Sequence, residues 1–185
     1  MPVSRFCCDG KVSLIFTASM AGGLLNTSKN LEWIRSQYNN QGLARNLEVF
    51  SCIDRQFVTP GFRRERGGVI AVPFGLVLRR VYVAQELLKY PTKREAFAII
   101  LDHERQHVDK WNEVMESTLQ AMGRVLESQI TGEPTADRIA PILTQFWPRV
   151  NDGIYGSEDD WDRAEWRGIH RDLENLDIPP VIDMS

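Results

Sequence analysis

No apolar run in the sequence approaches the roughly 20 residues that a membrane-spanning helix requires. The chain also lacks the basic excess of a general nucleic-acid binder. Its 22 Lys and Arg residues stand against 25 Asp and Glu residues, for a net charge of −3. We therefore expect neither a membrane span nor a nucleic-acid partner.

Cysteine is scarce as well. The three cysteines are Cys7, Cys8 and Cys52, and an odd number leaves at least one free thiol. Adjacent cysteines rarely bridge each other, and no pair has the spacing of a zinc knuckle. The sequence therefore predicts reduced thiols rather than a disulfide framework.

The N-terminal segment lacks the continuous apolar core of a signal peptide, because Asp9, Gly10 and Lys11 interrupt its short apolar stretch. We expect a cytoplasmic protein or one exported without a cleaved signal. The sequence specifies neither the compartment nor the oligomeric state.

The order of the predicted elements, mixed strands followed mostly by helices, indicates the α+β class. A length of 185 residues suits a single domain over residues 1–185. Within it, residues 69–176 form the predicted core and residues 1–65 have no assigned role. Strands are predicted over residues 11–17, 69–74 and 76–84, helices over 28–40, 92–128, 136–150 and 159–176, and irregular structure over 43–67.

The helix over residues 92–128 has the clearest boundaries. Tyr90-Pro91 interrupts the preceding segment, and Thr92 is the predicted N-cap. Glu95, three residues later, completes the spacing of a capping box. Apolar residues then recur on one face of the helix, which predicts that this face is buried.

This helix contains the one motif that points to chemistry, His-Glu-Arg-Gln-His over residues 103–107. Residues four apart lie one above the other on a helix, so His103 and His107 can both reach one zinc ion at about 2.1 Å. Glu104 points beside the metal rather than at it. It can therefore accept a proton from a metal-bound water.

The alternative interpretation is a solvated stretch of helix without a metal. Charged and polar residues surround the motif, namely Asp102, Arg105, Gln106 and Asp109. Two observations favour the metal site: the motif lies inside a capped helix, and it contains two of the three histidines in the chain.

Residues 92–111, TKREAFAIILDHERQHVDKW, resemble the active-site helix of the zincin metallopeptidases, and RRVYVAQEL resembles the strand that precedes it. The resemblance covers residues 77–130, with a weaker echo at 159–170, and is greatest to gluzincin-like small bacterial zincins. The metzincin extension after the second histidine is absent. The resemblance implies a zincin-like α+β fold, in which a small mixed sheet packs on the long HExxH helix and further helices follow.

A catalytic zinc usually has three protein ligands and one open position. The resemblance implies that the third ligand is a carboxylate or histidine on the last predicted helix. On its apolar face, Asp162 lies near the centre, Glu165 within about 40° of it and His170 at the edge, about 100° away. Glu165 is favoured over Asp162, whose spacing to Glu165 also fits a helix cap. His170 ranks third.

Two further residues are candidates for stabilising the oxyanion of the reaction. His170 can donate a hydrogen bond if it is not a zinc ligand, and Tyr155 lies in the loop before the last helix. A surface histidine and an interfacial tyrosine are the simpler interpretations of the two residues.

The expected function is that of a zinc metallopeptidase, with one Zn²⁺ per chain and a peptide or protein as substrate. The resemblance further implies that the strand over residues 77–84 holds an extended substrate by main-chain hydrogen bonds. Two alternatives remain open. One is a zinc amidase acting on cell-wall peptides or a small molecule, and the other is a non-catalytic zinc-binding or structural module.

Overall fold

The computed structural model of the chain describes residues 2–40, 50–146, 148, 150, 154 and 171–178. Within them the protein is α+β, with a six-stranded mixed sheet, which confirms the predicted class. The strands are β1 (Val3–Cys7), β2 (Val12–Met20), β3 (Leu25–Lys29), β4 (Ser51–Val58), β5 (Arg63–Arg64) and β6 (Ile70–Ala84). The helices are α1 (Leu31–Asn40), α2 (Lys93–Gln129) and α3 (Ala136–Thr144), with short 3-10 helices at Arg66–Gly68 and Gln85–Lys89.

The chain forms two compact units. The first comprises Met1–Ser19, Gln56–Val77 and Val108–Asp160, and the second Met20–Arg55, Leu78–His107 and Trp161–Ser185. Both β6 and α2 contribute residues to each unit. A single domain over residues 1–185 stays a prediction. Among the described helices, none combines the length and apolar character that crossing a membrane requires.

The first unit is built on the antiparallel pair β1–β2, with Val3 opposite Phe16 and Cys7 opposite Val12. The aromatic ring of Phe16 meets that of Phe74 edge to face, with centroids 5.6 Å apart. The second half of α2 buries a stripe at helical spacing, because residues three and four apart share one face. That stripe consists of Trp111, Met115, Leu119, Met122 and Leu126, all fully buried.

One polar residue of α2 is also buried in this unit. The Asn112 side-chain oxygen accepts a hydrogen bond from the backbone N–H of Ala18 at 3.1 Å, and its amide nitrogen donates to the carbonyl of Val108 at 3.0 Å. Both ends of the amide are therefore satisfied, which is the condition for burying a polar group without a large free-energy penalty. The hydrogen bond between Ala18 and Asn112 links β2 to α2.

The prediction of two strands separated at Gly75 is wrong, because β6 runs unbroken for 15 residues from Ile70 to Ala84. A Cβ atom added at Gly75 would overlap the carbonyl oxygen of Thr17. Glycine is present here because two backbones approach closely, rather than because the strand ends.

We expect Gly75→Ala to lower the free energy of unfolding by about 1–3 kcal/mol, because the backbone of Thr17 cannot yield to the added methyl group. Gly61→Ala is the matched control, since its nearest neighbour, the Pro73 side chain, lies at an ordinary 3.8 Å. Urea unfolding of both variants provides the measurement. Equal midpoints would contradict the close-approach explanation.

The prediction of irregular structure over residues 43–67 is wrong for two strands and a short 3-10 helix, and it is confirmed at residues 59–62 and 65. Ser51–Val58 is strand β4, and Arg63–Arg64 is the short strand β5, antiparallel to β6. The centre of β4 is the polar run Asp54, Arg55 and Gln56. Alternation of apolar and polar residues is weak there, so the strand depends on its pairing with β6 rather than on its own pattern. Residues 43–49 lie outside the described residues.

In the second unit, β3 runs parallel to the end of β6, with Leu25 opposite Val81 and Lys29 opposite Ala84. Helix α1 begins at Leu31, later than predicted, because the Asn30 side chain caps the N–H of Trp33 at 2.9 Å. The carboxylate of Glu86 also accepts the N–H of Leu31 through both oxygens, at 3.1 and 3.0 Å.

Helix α2 ends at Gln129, close to the predicted end. At its start, the Thr92 hydroxyl donates to the carbonyl of Leu176 at 2.9 Å, a contact outside the helix, and the predicted capping box with Glu95 stays a prediction. The predicted helix over 136–150 is observed as Ala136–Thr144 with Pro141 inside. Of the last predicted helix, residues 171–174 are helical and residues 159–170 lie outside the described residues.

Candidate metal centre

His103 and His107 bring two ring nitrogens to one point. Their Nε2 atoms lie 3.2 Å apart, the ring centroids are 4.8 Å apart, and the rings stand nearly perpendicular at 83°. The unbroken turn of α2 between them produces this arrangement, because residues four apart face the same direction.

The separation of the two nitrogens fits a zinc ion. Two ligands bound at about 2.05 Å with a tetrahedral angle between them lie about 3.3 Å apart. The observed 3.2 Å is slightly shorter than that value, and it also suits a hydrogen bond between the two rings when no metal is bound. The donors are also of the type that zinc prefers, imidazole nitrogens beside a carboxylate.

Glu104 lies beside this pair in a buried position. It is 4% exposed, and its Oε2 atom lies 3.6 Å from His107 Nε2. Its other oxygen, Oε1, accepts a hydrogen bond from the Ser51 hydroxyl at 3.1 Å. The three motif side chains form, among the described residues, the one group of potential ligands within 4.8 Å of one another. All three lie in the second unit, with Ser51.

Burial separates the motif from its neighbours on the helix. Asp102, Arg105 and Gln106 are exposed, and the Asp102 carboxylate pairs with Arg105 at 3.3 Å. Glu104 and His107 are each 4% exposed. A wholly solvated helix face therefore does not describe the motif. His103 is half-buried, so the cluster keeps contact with the surface.

The electrostatic effect of Glu104 reaches the neighbouring strand. Cys52, next to Ser51 on β4, is buried, and burial together with the charges of Glu104 and Asp54 raises the pKa of its thiol to about 12. Burial of the charged form and two nearby carboxylates act in the same direction. Cys52 is therefore a protonated thiol at neutral pH, inactive as a nucleophile.

Four predicted site residues lie outside the described residues: Tyr155, Asp162, Glu165 and His170. The third ligand and the oxyanion donor therefore stay predictions.

The expectation that the strand at 77–84 pairs with substrate is wrong, because the main chain of β6 is already paired on both sides. Val81 donates its N–H to the carbonyl of Leu24, on the side of β3, at 2.8 Å. Ala84 donates to the carbonyl of Phe50, just before β4, also at 2.8 Å. A strand can accept an extended peptide only along an unpaired edge.

Sequence reasoning also missed Ser51. The residue lies in the stretch predicted to be irregular, 53 positions before Glu104. No motif links a serine to a carboxylate at that distance along the chain. The available signal was the short run Phe50 to Ile53, with its apolar and β-branched residues.

No protein-family model, no curated protein and no solved structure matches this chain. The resemblance to zincins over residues 77–130, with its weaker echo at 159–170, therefore stays a prediction from the sequence. Any functional assignment depends on the geometry of the centre.

We expect the purified wild type to contain about one zinc per chain and His103→Ala and His107→Ala to lose it, since each removes one converging nitrogen. Gln106→Ala, an exposed residue between them, is the control and should keep the metal. Elemental mass spectrometry provides the measurement. A folded wild type that contains no metal and refuses added Zn²⁺ would refute the centre.

The raised pKa of Cys52 predicts how stability depends on pH. Below about pH 9 the thiol is protonated in both the folded and the unfolded chain; above it, the unfolded thiol ionises while the folded one, with a pKa of about 12, does not. Stability should therefore fall as pH rises from 9 towards 12, and less steeply in Cys52→Ala. Urea midpoints of both proteins at pH 8 and 10.5 provide the comparison, and equal slopes would contradict the assignment.

Proposed function

We propose that the protein is a zinc-dependent metallopeptidase that hydrolyses peptide bonds. The observation that carries the proposal is the convergence of two imidazole nitrogens at 3.2 Å beside a buried carboxylate. These are the groups that metal-assisted amide hydrolysis requires: nitrogen ligands for the ion, and a base that can reach the attacking water.

Zinc held by His103 and His107 would lower the pKa of a coordinated water to about 7 and polarise the substrate carbonyl. To serve as ligands through Nε2, both imidazoles must be neutral and carry their proton on Nδ1. The third ligand in this proposal is Glu165, with Asp162 and His170 as the other candidates. Zinc with three protein ligands keeps the open position that catalysis needs.

Glu104 is the proposed general base. Its Oε2 faces the histidine nitrogens, 3.6 Å from His107, whereas Oε1 is held by Ser51. Oε2 would accept the proton of the attacking water and pass it to the leaving amine as the peptide bond breaks. A buried carboxylate suits this role because exclusion of water strengthens its interaction with the developing charge.

Hydrogen-bond donors for the tetrahedral oxyanion are the remaining requirement. Tyr155 and His170 are the proposed donors, one from its phenol and the other from its imidazole if the ring does not bind metal. The proposed substrate is a peptide or protein.

We expect Glu104→Gln to abolish turnover, by a factor of about 10² or more, because the amide cannot accept the proton. Its zinc content and thermal midpoint should match those of the wild type, since glutamine preserves the shape of the side chain. Glu116→Gln, at an exposed position of the same helix, is the matched control and should retain full activity. Release of peptides from labelled casein provides the assay.

These measurements distinguish a catalytic zinc site from a structural one. Zinc binding without hydrolysis in wild type or variant would indicate a fully coordinated structural site and refute the peptidase. Unchanged hydrolysis in Glu104→Gln would remove Glu104 from the mechanism.

A further inference from the structure

Glu104 is close enough to the histidines to take either of two roles. Its carboxylate lies within 4.8 Å of both ring nitrogens, and a carboxylate is a zinc ligand as readily as it is a base. If both oxygens turned towards the ion, Glu104 would occupy the position that a water needs. A further contact is therefore needed to hold the carboxylate in one of these two roles.

The hydroxyl of Ser51 is positioned to make that contact. It donates to Oε1 of Glu104 at 3.1 Å, on the oxygen other than the one that lies 3.6 Å from His107. One oxygen is therefore anchored to β4 while the other faces the imidazoles. A hydrogen bond to an ionised acceptor is among the stronger ones, and low exposure strengthens it further.

The donor itself is fixed by the sheet. Phe50, the residue before Ser51, accepts the backbone N–H of Ala84 at 2.8 Å, and Cys52, the residue after it, is buried. Ser51 has one rotatable bond between its backbone and its hydroxyl carbon, so a fixed backbone leaves the hydroxyl few positions. The anchor of the carboxylate therefore belongs to a different element from the metal ligands.

We propose that Ser51 is a positioning residue that holds Glu104 out of the coordination sphere of the metal and so keeps it available as a base. This inference rests on the proposed function, because it requires zinc at His103 and His107. Loss of the hydroxyl would remove this anchor from Oε1 and allow the carboxylate to turn towards the ion. The site would then bind metal more tightly and hydrolyse peptides more slowly.

The test compares Ser51→Val with Ser51→Thr, two side chains of nearly equal shape that both suit a strand and differ in the hydroxyl. Cobalt(II) replaces zinc as a spectroscopic probe of coordination. We expect Ser51→Val to change the visible spectrum, to bind cobalt about tenfold more tightly, and to lower kcat about tenfold with little change in KM. Ser51→Thr should resemble the wild type in all three measurements.

A double-mutant cycle identifies the group responsible. Glu104→Gln should restore the weaker cobalt binding in the Ser51→Val background and leave affinity nearly unchanged in the wild-type background, because only a released carboxylate coordinates. Ser117→Ala is the control for loss of a hydroxyl, since Ser117 is exposed on α2 and bonds only its own helix, at the carbonyl of Val114. It should alter nothing.

The results distinguish failure of the metal centre from failure of the proposed role of Ser51. A wild type that binds no cobalt refutes the metal centre, and the role of Ser51 is refuted with it. A wild type that binds cobalt and hydrolyses peptides, with a Ser51→Val variant of unchanged spectrum and affinity, refutes the role of Ser51 alone. Reduced kcat in both the valine and the threonine variants would also refute it, because the hydroxyl would then make no difference.

Discussion

The two imidazoles of the centre meet only because α2 is an unbroken helix through residues 103–107. Inserting or deleting one residue between the two histidines would rotate one ring by about 100° away from the other. The helix is secured on both sides of the motif, by Ile100 one turn before it and Trp111 one turn after it, both buried. The unbroken turn between the two histidines sets the distance of 3.2 Å between their Nε2 atoms, and packing along the helix helps to keep that turn helical.

The sheet positions the hydroxyl group that anchors Glu104. Pairing with β6 fixes the start of β4, and through it the hydroxyl that anchors Glu104. The base of the proposed reaction is thus held by a strand, whereas the metal ligands are held by a helix. A glutamate side chain has three rotatable bonds and can adopt many orientations. The contact with β4 therefore holds the carboxylate in one orientation.

Local patterns predicted the parts of this architecture that are local in origin. The ends of α2 lie within one residue of the predicted ones, and the facing of His103 and His107 follows from helical spacing, as predicted. Contacts distant in sequence were not predictable in this way. Gly75 suggested a break because glycine usually weakens a strand, and only the approach of Thr17 shows why it is there. The run Phe50 to Ile53 could have indicated the strand, but the role of Ser51 could not be predicted, because its contact with Glu104 exists only once β4 and α2 are folded.

Charge balance gives an independent argument about the third ligand. In the proposed mechanism the imidazoles are neutral and Glu104 is ionised, so that the three side chains of the cluster carry one negative charge together. A divalent ion would leave an excess of one positive charge, which is unfavourable at side chains with 4% exposure unless another anion is close. An acidic ligand cancels this excess and a histidine does not. The balance therefore favours Glu165 or Asp162 over His170, in agreement with the ranking from helical spacing, and leaves the imidazole of His170 available to stabilise the oxyanion.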